Sequence, residues 1–406
     1  MTSRMLNVNS KANSPDQLRL IPNLENRTLC IVFANFGPYH IARVQSAQKV
    51  CQSAGINVVG VELAGSIIEY AWQPNRDNLD FELVTICPNY IYEKLPHAIL
   101  ISRLVKNFRD INPDFLALCG YSEIGMIAAL VWAKIFGKKV ILLSESKEDD
   151  ASRSRYKELL KKLIVSFYDA AIVGGQPHQR YLEKLGMPKN SIFFGYDVVN
   201  NDDFAPDQIC HLPAPIKSPF FLAINRFIPK KNLIFLLSAY AQYLQQVDLT
   251  LAWHLVLCGD GEMRSQIEQK IQELEIQDWV HLTGFLQQPE LLPYFAHAKC
   301  FVHASTTEQW GLVVNEAMAA GLPVLVSNRC GCYEDLVVEG VNGYGFDPYQ
   351  VSSLVERMIV LTKESNLEKL GFASIQHINT SFSTQKFGES VLGSIKYCFK
   401  INTDYL

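Results

Sequence analysis

Residues 301–345, FVHASTTEQWGLVVNEAMAAGLPVLVSNRCGCYEDLVVEGVNGYG, restrict the fold more than any other stretch of the chain. With Cys300 they open on a short apolar run, Cys300–His303, that reads as a buried strand. Polar Ser305, Thr306 and Thr307 follow, and then two glutamates, Glu308 and Glu316. A small-residue helix over 317–320 leads through Gly-Leu-Pro into a second apolar run at 324–326. Strand, polar loop, helix and strand make one βαβ unit, and ligands sit at the strand ends of such units.

The segment is otherwise small and apolar, so it must be largely buried, and glutamate is rarely buried without partners. Glu308 falls in the loop and Glu316 in the first turns of the helix. Between them the amides of Gly311, Leu312 and Val313 lie near a helix N-terminus. Such a terminus offers unpaired N–H groups and a partial positive charge, both suited to phosphate. Carboxylates beside a phosphate site accept hydrogen bonds from sugar hydroxyls. The combination points to a phosphorylated sugar. The plainer alternative has Glu308 capping the helix and Glu316 in a surface pair.

Residues 308–324, EQWGLVVNEAMAAGLPV, resemble the E-x7-E signature of the retaining nucleotide-sugar glycosyltransferases of family 4. The match holds at Glu308, Gly311, Glu316, Ala317, Gly321, Pro323 and Val324. The resemblance implies the GT-B fold: an α/β chain of two Rossmann-like domains facing across a cleft, with a C-terminal helix crossing back to the first domain. Divided accordingly, residues 1–27 are a flexible leader, 28–205 an acceptor-side domain and 206–380 a nucleotide-sugar-binding domain. Residues 381–406 form the returning helix.

Bulk properties agree with a two-domain globular protein. At 406 residues the chain can bury two cores. A net charge of −4 argues against a nucleic-acid binder. Ten cysteines are scattered, mostly in apolar runs, and only Cys330 and Cys332 lie close. That pattern reads as reduced thiols of a cytoplasmic protein, without a zinc site. Residues 1–26 lack the apolar core of a signal peptide.

Along the chain, an apolar run over 29–35 reads as a first strand, followed by Phe36-Gly37-Pro38-Tyr39-His40 and a helical pattern. A glycine turn there brings backbone close to a ligand. The resemblance gives Gly37 a part in holding the donor phosphate, with His40 and Arg43 as acceptor-side candidates. The stretch 64–94 is irregular, and its aromatics Tyr70, Trp72, Tyr90 and Tyr92 either pack the core or line a groove. A basic amphipathic helix over 153–165 carries Arg153, Arg155, Lys157, Lys161 and Lys162, a pattern fit either for an anionic membrane surface or for solvent. Many family members place a histidine at the preceding strand end, near the donor sugar. This chain has Ser144-Glu145-Ser146, and Glu145 stands as the polar candidate there. Residues 205–217, with three prolines, read as the interdomain linker.

The second half opens with a strand and then Arg226-Phe227-Ile228-Pro229-Lys230-Lys231. An arginine and a lysine five apart in a strand-to-helix loop can converge on one diphosphate. By the resemblance, Arg226 and Lys231 stabilise the leaving diphosphate, with Lys230 an alternative in register. Gly259-Asp260 resembles the loop beside the nucleotide, and the backbone at Phe285 and Leu286 that beside the base. Glu308 would face the donor sugar and Glu316 the ribose. The implied reaction moves a hexose from a nucleotide diphosphate sugar, UDP-sugar first and GDP-sugar second, to a hydroxyl of a glycolipid or cell-envelope polysaccharide precursor, with retention. No D-x-D triplet occurs, and the Arg226/Lys231 pair would supply the charge of a metal, so neither metal nor cofactor is expected. The rivals are a sugar-phosphate synthase or phosphorylase of the same fold and a non-catalytic nucleotide-sugar binder.

Overall fold

The computed structural model describes residues 24–68, 76, 79–150 and 153–403. Most of the expected leader, and Tyr70 and Trp72, lie outside the described residues. The strands are short, continuous apolar runs rather than alternating ones, as expected of parallel sheets covered on both faces. The first sheet contains β1 (Arg27–Phe33), β2 (Ile56–Glu62), β3 (Glu82–Thr85), β4 (Phe115–Cys119), β5 (Lys139–Ser144), β6 (Ala170–Val173) and β7 (Ile192–Phe194). The second contains β8 (Phe220–Ile224), β9 (His254–Cys258), β10 (Val280–Gly284), β11 (Cys300–His303), β12 (Val324–Ser327) and β13 (Gly343–Phe346). Every pairing between these strands is parallel.

Helices fill the crossovers. In the first domain they are α1 (Pro38–Gln52), α2 (His97–Ile111), α3 (Ile124–Ile135), α4 (Arg155–Val165) and α5 (Gln176–Lys184). Then come α6 (Pro206–Ile209), α7 (Leu233–Gln246), α8 (Arg264–Glu273), α9 (Gln288–His297), α10 (Leu312–Ala319), α11 (Tyr333–Leu336), α12 (Val351–Lys363), α13 (Leu367–Ser381) and α14 (Thr384–Thr403). Among the described residues no helix is long and apolar enough to cross a membrane.

Strand order places the loops that matter. The first sheet runs β3-β2-β1-β4-β5-β6-β7 and the second β10-β9-β8-β11-β12-β13. In each, order reverses beside the first strand, between β1 and β4 and between β8 and β11. Loops leaving the carboxyl ends of strands at such a reversal diverge and open a crevice. The four loops so placed carry Gly37, Gly120, Arg226 and Glu308.

One face of the first sheet is covered by α1 and α14, whose Val44, Ala47, Phe387, Val391 and Ile395 join a common core with Trp310 and Phe204. The C-terminal helix therefore returns to the first domain. The opposite face is covered by α2, α3 and α5, while α4 contributes only its last turn, with Val165 buried and Ile164 packed beside it. Two expectations need correction. Residues 205–217 are not a plain linker: a 3-10 turn over Asn201–Phe204 and α6 bury Phe204 and Ile209. Pro206 misleads because it stands in a helix's first turn, where its missing N–H is not needed. The basic helix begins at Arg155, not 153, because Arg153 is drawn out of it by the Asp150 carboxylate and the Lys147 and Glu148 carbonyls.

The α1–α14 contact is close. A Cβ at Gly388 would stand 2.7 Å from the Ser46 carbonyl oxygen and 2.9 Å from Val50 Cγ2. Gly388→Val should therefore lower unfolding stability by about 1–3 kcal/mol, although valine is the better helix former. Urea unfolding measures this, and an unchanged midpoint would contradict the packing described.

Candidate active site in the interdomain cleft

The cleft holds a cavity of about 480 Å³. Its lining includes every residue expected from the sequence: Gly37, His40, Arg43, Glu145, Arg226, Lys231, Gly259, Asp260, Phe285, Leu286, Glu308, Gly311, Leu312, Val313 and Glu316. The expected residues thus converge on one space. What each does there differs from one to the next.

On the second-domain side, Gly311 caps α10 with φ +108°, a backbone that side chains rarely adopt. It lets the chain turn sharply from Glu308 into the helix, leaving the N-terminal amides of α10 at the cavity wall. Glu308 lies in a ring of partners. Lys231 Nζ is hydrogen-bonded to its Oε2, Lys230 Nζ stands 3.6 Å from Oε1, and the Ser305 hydroxyl donates at 3.3 Å. Burial pushes the Glu308 carboxyl up, but His303 and Lys231 beside it outweigh burial and hold it well below the usual carboxylate range. It is a fixed anion facing a fixed cation. Arg226 follows β8 on the same wall and is exposed to the cavity.

Glu316 is different. It is 6 % exposed, and among the described residues no cation pairs with it; the Tyr39 hydroxyl of the first domain donates to its Oε1 at 2.5 Å. Burial pushes its carboxyl up to about 7, with the Tyr39 hydrogen bond offsetting part of the rise and Asp203 adding to it.

On the first-domain side His40 braces the loop. Its Nδ1 accepts from the Gly37 amide at 3.1 Å, its ring stacks on Phe33 at 4.1 Å, and a hydrogen bond to the Asn35 backbone engages it further. Burial, with Arg43 nearby, pushes it down to about 3, so the ring is neutral. Its partners within the loop make it a support for Gly37 more than a contact for an acceptor. The same device recurs at α5, where His178 Nδ1 accepts from the Gly175 amide at 3.2 Å. There the other ring nitrogen donates across the cleft to the Gln309 carbonyl at 2.9 Å, next to Glu308. Arg43, expected to face an acceptor, is 1 % exposed; its Nε donates to the Val198 carbonyl at 3.1 Å and its guanidinium lies 4.6 Å from the Tyr196 ring.

Several residues that hold the site were not found by sequence reasoning. Glu62, at the end of β2, accepts from the Phe36 amide, Asn35, Thr85 and Arg76, and so anchors the Gly37 loop. Trp310 donates to Asn315 at 2.8 Å, and Asn315 donates to the Asp197 carbonyl at 3.0 Å, tying the Glu308 loop to the first domain. The repeated Gly-x-x-His at 37–40 and 175–178 was the available signal for the two histidine caps. Tyr90 and Tyr92 do not reach the cavity: Arg103 lies over the Tyr90 ring and the Tyr92 hydroxyl donates to Glu123.

The Glu316 environment makes stability depend on pH in a definite direction. Its carboxyl goes from an ordinary 4.5 to about 7 on folding. Between those values the folded protein keeps a proton that the unfolded chain has released, so stability falls as pH rises through the window and levels off above it. Glu316→Gln cannot ionise and should lack this fall. Relative to wild type, its stability should improve by on the order of 2–4 kcal/mol between pH 4.5 and pH 7.5. Urea unfolding at the two pH values measures the difference, and a pH-independent difference would show Glu316 to be ionised throughout.

Comparison with known proteins adds the family. Residues 207–371 match the model of the family described as glycosyl transferases group 1. The chain is 36 % identical over 104 residues to an alpha-monoglucosyldiacylglycerol synthase of Streptococcus pneumoniae, covering 26 % of this chain and 23 % of that protein. Two further curated relatives are matched over 33 % and 46 % of their lengths, so the chain spans less than half of these relatives. Sucrose-phosphate synthase from Thermosynechococcus elongatus superposes with TM-score 0.72 at 18 % identity, over 93 % of this chain and 100 % of that one. HepE of Anabaena, solved with UDP and glucose, superposes with TM-score 0.68 at 15 % identity, over 91 % and 99 % of the two chains. The stretch that holds Arg226, Lys231, Glu308 and Glu316 thus matches the glycosyl transferases group 1, and the two sheets together have the GT-B fold.

Proposed function

We propose that the protein is a retaining, metal-independent glycosyltransferase. It moves a hexose from a nucleotide diphosphate sugar, with UDP-sugar the first choice, to a hydroxyl of a lipid or lipid-linked acceptor. The carrying observation is the convergence of Arg226, the Lys231–Glu308 ion pair and the α10 N-terminus on one cavity wall. Two cationic side chains and a row of amides suit a diphosphate whose charge grows as it leaves. Arginine can take two phosphate oxygens together, and lysine provides a point charge. These cations do the work a divalent ion does elsewhere. Glu308, held by Lys231, accepts from a donor-sugar hydroxyl, and Glu316 from a ribose hydroxyl in place of Tyr39.

The lipid acceptor rests on α4 and on the relatives. The pneumococcal relative is named as a synthase of a glucosylated diacylglycerol, and a second relative of that name, from Acholeplasma laidlawii, is 28 % identical over 178 residues. Of the five cations expected on this helix, Arg153 and Lys161 turn to Asp150 and Glu158. Arg155, Lys157 and Lys162 stay exposed, and so do the apolar Tyr156, Leu159, Leu160 and Leu163, with Tyr156 88 % exposed. Apolar side chains with flanking cations suit an anionic bilayer surface, where the protein would work peripherally on the cytoplasmic side.

Two outcomes follow. With UDP-glucose as probe, Glu308→Gln and Lys231→Ala should lower turnover at least about 100-fold, with melting temperature near wild type and wild-type activity unaffected by EDTA. Turnover restored by Mg²⁺ after EDTA would rule out metal independence, and near-normal rates in both variants would remove the assigned roles. Leu159→Glu combined with Leu163→Glu should abolish cosedimentation with phosphatidylglycerol vesicles while leaving hydrolysis of UDP-glucose in solution intact. Persistent cosedimentation would take the membrane contact away from α4.

A further inference from the structure

A buried charge cluster lies behind the first-domain wall of the cavity. Asp197, in the turn after β7, is fully buried, as is the Arg43 guanidinium, whose Nη2 stands 3.7 Å from Asp197 Oδ1. Glu145, after β5, comes within hydrogen-bonding reach of Asp197 and lines the cavity, together with Arg43 and Cys119. Among the described residues, no N–H or hydroxyl donor meets either Asp197 oxygen, and Arg43 Nη2 has no acceptor. Two carboxyl groups therefore approach each other beside one guanidinium, with no hydrogen-bond donor on the Asp197 carboxyl.

Such a pair cannot carry two charges out of contact with water. One proton must sit between them. It belongs to Asp197, the deeper of the two, packed against Gly174. Burial and then the Glu145 charge push the Asp197 carboxyl far up, against the pull of Arg43. Glu145 is raised as well, by burial first, with Arg43 and the hydrogen bond to Asp197 offsetting part of the rise and Glu308 adding to it. The other titratable neighbours are neutral: burial holds the Cys119 thiol at about 12 and pushes the Tyr196 phenol up, and Cys119 Sγ and Tyr196 Oη pair at 3.0 Å. The charge left facing the cavity is that of Glu145, balanced by Arg43. Glu145 also feels the charge of Glu308 across the same cavity, so the two carboxylates flank one space.

We propose that Glu145 binds a sugar hydroxyl in the cavity, and that Asp197 and Arg43 are positioning residues that aim its carboxylate. This rests on the glycosyltransferase reading and adds to it a second hydroxyl-binding carboxylate, on the first domain, opposite Glu308. The bonding is simple: the Asp197 carboxylic acid donates to one Glu145 oxygen, and the other oxygen accepts from the substrate hydroxyl. That hydroxyl belongs either to the donor sugar or to the acceptor, and the two arms of the experiment tell these apart.

The first arm is hydrolysis of UDP-glucose by the full chain, and the second is transfer to dioleoylglycerol in phosphatidylglycerol vesicles. Glu145→Gln should lower kcat/KM by about 10- to 100-fold, the loss expected for one hydrogen bond to a charged group. Loss in both arms assigns the hydroxyl to the donor, and loss confined to transfer assigns it to the acceptor. Asp197→Ala should lose a similar factor. Asp197→Asn, whose amide can donate to Glu145 at any pH, should lose less than Asp197→Ala. It should also lack the alkaline decline that wild type shows when Asp197 gives up its proton. UDP affinity, which this cluster does not touch, is the control for folding. Glu145→Gln rates equal to wild type in every arm that wild type turns over would overturn the proposal, and so would identical alkaline limbs in wild type and Asp197→Asn. If wild type bound neither UDP nor UDP-glucose, the glycosyltransferase reading would fall, and this inference with it.

Discussion

Negative charge buried between two domains is the constraint on which the cleft depends. Glu308, Glu316 and Asp197 all lie where water is scarce, and an isolated carboxylate there costs several kcal/mol. Each is compensated by a different kind of partner. Lys231 gives Glu308 a full cation, from a loop whose strand, β8, pairs with β11. Tyr39 gives Glu316 a hydroxyl. Asp197 keeps its own proton, beside Arg43 and Glu145. The three solutions leave three kinds of carboxyl group in and just behind one cavity: a fixed anion, a group that titrates near neutrality and one whose proton is held far above the usual carboxylate range.

Topology brings these groups together. Each sheet reverses its strand order next to its first strand, and the loops leaving that point carry Gly37, Arg226 and Glu308. Glycine and histidine then set the loops. Gly311 turns the chain from Glu308 into α10 with a backbone only glycine adopts easily, and the two histidine caps lock α1 and α5 at their first turns. Because α14 packs on α1 and on the first sheet, the last residues of the chain support the first loop of the cavity.

The two-domain α/β architecture and the residues that line the second-domain half of the candidate site were legible in the sequence, whereas β3 lies in the stretch 64–94 that reads as irregular. Glu308, Glu316, Arg226 and Lys231 sit in local patterns, and local patterns survive without knowledge of the other domain. Legibility failed where a residue's meaning comes from a partner far along the chain. Tyr39 meets Glu316 across 277 positions and Asn315 meets Asp197 across 118. Nothing around Asp197 announces that Glu145 and Arg43 will converge on it. His40 was placed by its position near the cleft, but its ring is engaged by Gly37, Asn35 and Phe33, and the one sequence signal for that, the repeated Gly-x-x-His, does not name the Asn35 and Phe33 contacts. Prolines misled for a related reason: at 206 the residue begins a helix that packs, and composition alone cannot separate that from an extended connector.

The contacts between the domains explain why the site and the domain arrangement form a single variable. Two of them end on residues that line the cavity, Tyr39 on Glu316 and His178 on the Gln309 carbonyl, and Asn315 ends on the Asp197 carbonyl behind its wall. Farther out, Arg180 pairs with Glu334, the Gln176 amide donates to Asp335, and Lys147 donates to the Arg329 carbonyl. Polar contacts of this kind lose little when water replaces them, unlike an apolar interface of equal area, and relative motion is the ordinary behaviour of domains so joined. Trp310 is the exception, buried in the shared core and hydrogen-bonded to Asn315. A hydroxyl-bearing ligand at Glu316 would compete with Tyr39 for the same oxygen, so filling the cavity and releasing one domain from the other draw on a single hydrogen bond.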